Sequence, residues 1–292
     1  MKKEFNKGLI LTSLGSFWWG FIGVFYFEYV SFIGPVELVV HRCLWTALML
    51  ILTTTFLSKW NIFSKIIVNK KNLLSLLISG FLIFINWSVW IYAVATEKII
   101  DASFGYFIMP IISVLLGYIF FKEKLNTKRI FSIILVLISI FILIFINLKS
   151  LPWVGLIVAF SWAFYNLIRK KINVDTDVGL LIESMFIFPF ALIVFYFIFK
   201  NGLNDFSIEN PGLSLFLILA GPMTVIPLFL YVKGVEMIGL GPTGMIFYIT
   251  PTLQFILGYF YYNEEFSFLK FLSFIIIWIA VIIYLKDLYE TN

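Results

Sequence analysis

Long apolar stretches recur along this chain with only short segments between them. A helix needs about 20 apolar residues to cross a hydrocarbon core of roughly 30 Å. Hydrophobic residues make up 62% and charged residues only 13% of the 292 positions, whereas soluble domains are about a quarter charged. We predict an all-α integral membrane protein with ten transmembrane helices, at residues 8–27, 35–57, 73–95, 102–121, 129–146, 153–168, 179–199, 214–232, 241–262 and 268–285.

The positions of the positive charges predict how these spans are oriented. Lys and Arg accumulate in short cytoplasmic loops. With the N-terminus inside, sixteen of the 21 Lys and Arg residues fall in cytoplasmic segments, four fall on the opposite face, and Arg42 lies within a span. Both termini are therefore predicted to be cytoplasmic, and the apolar run after Lys7 is interpreted as a retained first span, not a signal peptide. The net charge of +5 follows from this topology and gives no indication of nucleic-acid binding.

The second half of the chain repeats features of the first. A shift of 143 residues aligns Trp19 with Trp162, and a shift of 141 aligns a proline, a glycine and an acid. Each half holds five spans, an odd number, so the second half must enter the membrane from the other side. This predicts an inverted repeat of two domains, 1–149 and 150–292, as many transporters have. The pairs are Tyr106/Phe247, Phe107/Tyr248, Ile108/Ile249, Pro110/Pro251, Leu116/Leu257, Gly117/Gly258, Tyr118/Tyr259 and Glu123/Glu264.

Charged and amide side chains inside the predicted spans are candidates for a solute pathway. A charge at the bilayer centre costs roughly 2.5–3.5 kcal/mol on insertion scales, so such a group should face a cavity or a partner. Span two carries Glu37, His41 and Arg42, span three carries Asn86, and span seven carries Glu183. Structural alternatives remain open, because Glu37 and Arg42 could pair or reach toward the headgroups.

Arg42 and Glu183 are equivalent positions of opposite charge at the repeat shift of 141. We therefore expect them to lie near the pseudo-twofold axis, to line a shared cavity and to pair in one conformation. His41 is the only histidine, and its charge changes near neutral pH. Coupling to a proton through His41 or Glu37 is one hypothesis, and a structural role for both is the other.

Aromatic residues and prolines supply the other candidates. The aromatic side chains could stack on a planar or cationic solute, although core packing is the alternative for each. Pro110 and Pro251 remove backbone hydrogen bonds and predict kinks at equivalent places in the two halves. The aromatic set is Trp18, Trp19, Trp87, Trp90, Tyr106, Phe107, Trp162, Tyr165 and Tyr248.

Two further features of the sequence argue against a nucleotide-binding site and against a disulfide or a multi-cysteine metal site. Gly239, Gly241 and Gly244 match a dinucleotide-binding spacing, but that motif needs a preceding strand in a βαβ unit. We interpret these glycines as positions of close helix packing. Cys43 is the only cysteine, which excludes an intramolecular disulfide and a multi-cysteine metal site. We predict no cofactor and no metal.

Several motifs taken together resemble a known family, the RarD-type permeases of the EamA family in the drug/metabolite transporter superfamily. The resemblance covers essentially the whole chain. The sequence departs from the family pattern at Met109 and Phe247, where we expect Asn and Gln. The motif residues are Glu37, His41, Arg42 and Trp45; Asn86 and Trp87; Gly105, Tyr106, Phe107 and Pro110; Ser161 and Tyr165; Glu183; and Tyr248 to Thr252.

The resemblance implies a ten-helix inverted repeat in the bacterial inner membrane that exports metabolites, amino acids or drugs. Its expected partners are a small-molecule solute, the lipid bilayer and a coupling proton, and we expect a monomer. No P-loop is present in the sequence, which favours a secondary transporter. A passive facilitator or sensor, and an integral membrane enzyme acting on lipid-linked substrates, remain as alternatives. The predicted pathway residues are Glu37, His41, Arg42, Asn86, Trp87, Tyr106, Phe107, Ser161, Tyr165, Glu183 and Tyr248.

Overall fold

A computed structural model describes residues 2–95, 99–147, 153–172, 174–263 and 268–291. Within those ranges the chain is helical and contains no strand. The first half comprises α1 (Lys2–Phe17), a π-helical segment (Trp18–Ile22), α2 (Gly23–Tyr29), α3 (Pro35–Phe56), α4 (Trp60–Val68), α5 (Lys70–Ala95), α6 (Ile99–Phe121) and α7 (Thr127–Asn147). The second half comprises α8 (Trp153–Lys171), α9 (Thr176–Lys200), α10 (Pro211–Ile238), α11 (Leu240–Phe247), α12 (Ile249–Phe260) and α13 (Phe268–Thr291).

Seven of the described helical segments are long and apolar enough to cross a membrane. A shorter apolar helix, Gly105–Phe121, lies within α6. Their outer faces carry many exposed large hydrophobic side chains, such as Phe56, Phe141 and Phe199, which suits helices surrounded by lipid. The seven segments are Lys3–Tyr29, Pro35–Phe56, Lys70–Trp90, Thr127–Ile144, Thr176–Lys200, Pro211–Ile238 and Phe268–Thr291.

Prolines and a glycine set several helix boundaries. Pro35 and Pro211 occupy the first turn of α3 and α10, where a missing N–H removes no helical bond. Gly239 separates α10 from α11 with φ +94°, a conformation that favours glycine. Pro251 cannot donate to the carbonyl of Phe247, and the helix breaks there into α11 and α12. The kink predicted for this region is therefore a break between two helices.

One helix was not expected from the sequence. Residues 58–72 read as a loop between spans two and three, but Trp60–Val68 forms α4. Its Ile66 is buried against Leu76, Val178 and Ile182, while Val68 is exposed. This burial stabilises a short amphipathic helix that its length alone would leave marginal.

The helices of the two halves make matching sets of contacts. α1 packs on α10 as α8 packs on α5, and α3 packs on α10 as α9 packs on α5. Three further contacts join α3 with α9, α6 with α11, and α7 with α13. The largest buried cluster, which includes Leu50, Trp162 and Tyr231, lies where these helices meet.

Candidate functional site

A cavity of about 350 Å³ lies within the helix bundle, within the size range of small-molecule sites. It extends to the turn at residues 30–34, and we call that end of the bundle the open end. The lining is mostly aromatic and aliphatic, with Arg42 as its one charged side chain among the described residues. The lining residues are Trp19, Gly23, Val24, Phe27, Val30, Ser31, Ile33, Pro35, Leu38, Val39, Arg42, Asn86, Trp87, Trp90, Tyr106, Trp162, Thr224, Leu228, Phe247, Thr250 and Gln254.

Arg42 is held on one side of this cavity by contacts from three helices. Its Nε donates a 3.1 Å hydrogen bond to the hydroxyl of Thr224. Its guanidinium lies 4.9 Å from the ring centre of Trp87 and 5.3 Å from that of Phe27. Among the described residues no carboxylate lies within ion-pairing distance of Arg42. The half-buried cation is therefore positioned without being neutralised.

Five aromatic rings, each in contact with at least one other, form a second part of the lining. Trp19, in the π-helical segment, lies 5.3 Å from Trp162 and 6.1 Å from Phe247 between ring centres. Tyr106 lies 5.7 Å from Phe247 and 5.4 Å from Trp90. A π-helical turn re-aims side chains and is frequent at functional sites. Four of these five rings belong to the aromatic set predicted from the sequence; Phe247 was identified as the repeat equivalent of Tyr106 and as a departure from the family pattern.

Asn86 supplies a fixed polar group to the lining. Its Nδ2 donates to the carbonyl of Val158 at 3.0 Å and to the hydroxyl of Ser161 at 3.0 Å. The amide oxygen makes no hydrogen bond within the described part of the chain. Ser161, predicted to be a pathway residue, lies behind Asn86 and orients it.

Glu37 and His41 lie outside the cavity lining. The Glu37 carboxylate accepts hydrogen bonds from the backbone N–H groups of Asp205 and Phe206, at 2.9 and 3.2 Å. His41 lies 3.5 Å from Glu37 through Nε2 and accepts a bond from the indole of Trp45 at 3.1 Å. Both side chains are buried against the loop between α9 and α10, an arrangement that supports the structural alternative. Their coupling to a proton stays a prediction.

Glu183 does not pair with Arg42 in this conformation, and their pairing in another conformation stays a prediction. Its carboxylate accepts bonds from Ser79 at 2.5 Å and Tyr165 at 3.2 Å, and lies 3.5 Å from Nη1 of Arg169. Arg169 is fully buried. Arg169 lies inside the bundle because α8 continues to Lys171, three residues beyond the span 153–168 predicted from the sequence. Glu183 and Tyr165 belong to this buried cluster and not to the cavity lining.

The remaining predicted residues lie where α6 meets α11 and α12. The Tyr248 hydroxyl donates to the carbonyl of Phe107 at 2.7 Å. Pro110 lies within α6, and its backbone approaches Gly244 so closely that a Cβ there would lie 3.0 Å from the Pro110 carbonyl oxygen. This close approach agrees with the packing role inferred for Gly244. Phe107, Tyr248 and the two prolines thus shape the neighbouring helices and do not line the cavity.

At the end away from the turn at 30–34, polar contacts join the two halves, and we call it the polar end. Glu123 accepts hydrogen bonds from the N–H groups of Leu240 and Gly241 at 2.8 and 2.9 Å, at the start of α11. Burial raises the pKa of Glu123 above its ordinary value, and these two donors oppose that rise. Arg129 pairs with Asp287 at 2.8 Å. The counterpart Glu264 lies outside the described residues.

Lys59 provides another contact at the polar end. Its ammonium lies 2.8 Å from Asp177 and 3.0 Å from Asp175. Burial alone would lower the pKa of Lys59, but the hydrogen bonds to both carboxylates raise it above its ordinary value. A single cation thus joins the end of α3 to the start of α9.

Replacing Lys59 should have a small, salt-dependent effect. We expect Lys59→Met to lower the free energy of unfolding by about 1 kcal/mol or less, because partly exposed ion pairs are worth little. The loss should shrink at high salt, which screens such pairs. Chemical unfolding in detergent at low and high salt measures it, with Lys65→Met, an exposed lysine on the neighbouring α4, as the control. An equal loss in both variants would contradict a specific role for Lys59.

Comparison with known proteins gives consistent results. The model of the EamA-like transporter family matches residues 6–145 and again residues 150–286. The chain is 34% identical to the uncharacterized transporter YojE of Bacillus subtilis over 96% of this chain and 94% of that protein. It is 32% identical to the protein RarD of Escherichia coli over 99% and 97%. A solved structure with 12% identity matches at a TM-score of 0.71, covering 95% of this chain and 96% of that one, which concerns the fold alone.

Proposed function

Because the chain belongs to the EamA-like transporter family, we propose that it is a secondary transporter that moves a small-molecule solute through its cavity by alternating access. The RarD-type resemblance predicted from the sequence is confirmed by the relatives of that name. The chain is a multi-pass protein of the bacterial inner membrane.

We propose that ten spans form an inverted repeat of five plus five. The successive matches of the family model, residues 6–145 and 150–286, support two copies. Equivalent residues also contact one another, as they must near a twofold axis: Trp19 with Trp162, Tyr106 with Phe247, and the Tyr248 hydroxyl with the carbonyl of its equivalent, Phe107. The matching helix contacts of the two halves support the same relation.

The direction of the equivalent helices supports inversion of the second copy. α1 begins at the polar end, since a Cβ at Gly8 would meet Ile238 at the end of α10. Its counterpart α8 ends there, because Lys170 donates to the carbonyl of Glu236 at 2.6 Å. Equivalent helices that run in opposite directions are expected of two copies related by an axis in the membrane plane. The charge distribution supports placing the polar end in the cytoplasm.

The observation that carries the proposed mechanism is the asymmetry between the two ends of the bundle. The cavity extends to the open end, whereas Lys59, Glu123 and Arg129 of the first half bond to the second half at the polar end. Alternating access requires one conformation with this asymmetry and another with the reverse. Breaking the polar-end contacts would produce the second conformation. We propose that transport runs in the direction of export and that a proton is the coupling ion.

Flux measurements in proteoliposomes test this function. Labelled amino acids, aromatic metabolites and chloramphenicol are offered, with and without an imposed pH or sodium gradient, to the full chain and to Arg42→Ala. Saturable uptake that the gradient drives and that the substitution abolishes would support a coupled transporter. Uptake that ignores the proton and sodium gradients would favour a facilitator, and turnover of a labelled lipid would favour an enzyme.

A further inference from the structure

We infer that the cavity selects organic monoanions, namely a carboxylate carried on a flat apolar body, in preference to neutral, cationic or zwitterionic solutes of the same shape. This inference rests on the proposed function, in which the cavity is the solute site. Three features of the lining support it: a cation without an ion-pair partner, a wall of aromatic rings, and the lack of any carboxylate among the described lining residues.

The guanidinium of Arg42 is prepared to bind an anion. The Thr224 hydroxyl donates to the carbonyl of Ala220 at 2.8 Å and accepts from Nε of Arg42 at 3.1 Å, so both of its bonds are directed. Trp87 stacks against the guanidinium at 4.9 Å. Arginine has five N–H donors, and Nε makes the one hydrogen bond that Arg42 forms within the described part of the chain. The remaining donors have the fork geometry that matches a carboxylate bidentately.

The energetic cost of this arrangement also points to a ligand. A positive charge far inside a membrane bundle is unfavourable unless it has a partner. The two carboxylates inside the predicted spans are already occupied, because Glu37 accepts from the loop after α9 and Glu183 pairs with Arg169. A bound carboxylate would supply the missing partner. Its attraction to Arg42 would offset the cost of removing both charged groups from water.

The aromatic rings define the body of that ligand. Trp19, Trp90, Tyr106, Trp162 and Phe247 give the cavity broad apolar surfaces, and a volume of about 350 Å³ accommodates a compact molecule with one or two rings. Stacking on such rings favours a flat body over a branched one. An aromatic lining alone would also suit a cation, but here Arg42 would repel it.

The lining contains no Asp or Glu among the described residues, and this disfavours amines and zwitterions. An ammonium group brought beside Arg42 would lose its hydration without gaining a carboxylate partner. The amide oxygen of Asn86 can accept one hydrogen bond, but it carries no formal charge. An amino acid would therefore bind less tightly than the carboxylic acid that lacks its ammonium group.

Direct binding to the purified full chain in detergent tests the inference with four ligands that share a phenyl ring on a two-carbon chain. These are 3-phenylpropionate, its amide 3-phenylpropanamide, the amine 2-phenylethylamine, and phenylalanine. Quenching of tryptophan fluorescence reports occupancy, since four tryptophans line the cavity. We expect 3-phenylpropionate to bind at least about tenfold more tightly than the amide, the range expected for hydrogen bonds to a charged group. The amine should bind most weakly.

Variants of the cation supply the matched controls. Arg42→Gln should weaken binding of the carboxylate by about 10- to 100-fold and change binding of the amide by no more than about twofold. Arg42→Lys should retain part of the preference, because it keeps the charge and loses the fork. Thr224→Val removes the hydroxyl that positions Nε and keeps the side-chain shape. Thr224→Val should weaken carboxylate binding less than Arg42→Gln does. If Arg42→Gln does not fold, Thr224→Val still tests the inference.

The outcomes separate this inference from the proposed function. Equal binding of carboxylate and amide by the unmodified chain would overturn the inference, as would no measurable binding of the carboxylate. Carboxylate binding without flux in proteoliposomes would support the inference and contradict transport. Saturable flux that shows no preference for the carboxylate would support transport and overturn the inference.

Discussion

Arg169→Met is expected to lower the free energy of unfolding by about 3–5 kcal/mol, the range found when one partner of a buried ion pair is removed. Arg169 is fully buried, lies 3.5 Å from Glu183 and 3.6 Å from Glu236, and donates to the carbonyl of Thr176 at 3.0 Å. Methionine fills part of the volume but leaves the Glu183 carboxylate with no cation. Unfolding in detergent, followed by tryptophan fluorescence, measures the loss.

A double-mutant cycle separates the charge from the packing. Adding Glu183→Gln to Arg169→Met should restore a large part of the lost stability, because the amide needs no counter-charge and can still bond to Ser79 and Tyr165. Lys171→Met, an exposed neighbour on the same helix, should change stability by no more than about 0.5 kcal/mol. Losses that simply add in the double variant would show that Arg169 and Glu183 do not act as a pair.

The pairing of Glu183 with Arg169 could not be predicted from the sequence. The repeat shift made Arg42 and Glu183 equivalent, and the scarcity of charges in the spans singled out both. The partner of Glu183 was missed because Arg169 precedes two lysines and reads as part of a cytoplasmic loop. Only the length of α8, which ends at Lys171, brings this guanidinium into the bundle. An extension of three residues is within the usual error of a helix boundary predicted from sequence.

The cavity was predicted in part, for a physical reason. Arg42, Asn86, Trp87 and Tyr106 were named because charged, amide and clustered aromatic groups in a span are costly or unusual, and all four line it. Thr224 could not be identified from the sequence, because the hydroxyl of a threonine in an apolar helix can donate its hydrogen bond to a backbone carbonyl of the same helix. Its contact with Arg42 joins positions 182 residues apart, which no local pattern reveals. The pathway roles of Glu37, His41 and Glu183 remain predictions.

Glu123 should control how often the polar end opens. Its carboxylate bonds to two backbone N–H groups at the start of α11, where the helix dipole favours negative charge, and Gly239 with φ +94° leaves room for it. Hydrogen bonds to charged groups contribute about 1.5–3 kcal/mol. We therefore expect Glu123→Ala to raise the population of the conformation open at this end by about tenfold or more.

Thiol labelling of a buried reporter measures that population. Ser113→Cys, in a Cys43→Ser background, places the thiol between α6 and α11, where Ser113 is 1% exposed. Labelling should be faster in Glu123→Ala and intermediate in Glu123→Gln, because the amide oxygen replaces only one of the two acceptors. Lys124→Ala, an exposed neighbour, serves as the control. Equal labelling rates in all variants would mean that the carboxylate only caps α11, and that Lys59 or Arg129 keeps the polar end closed.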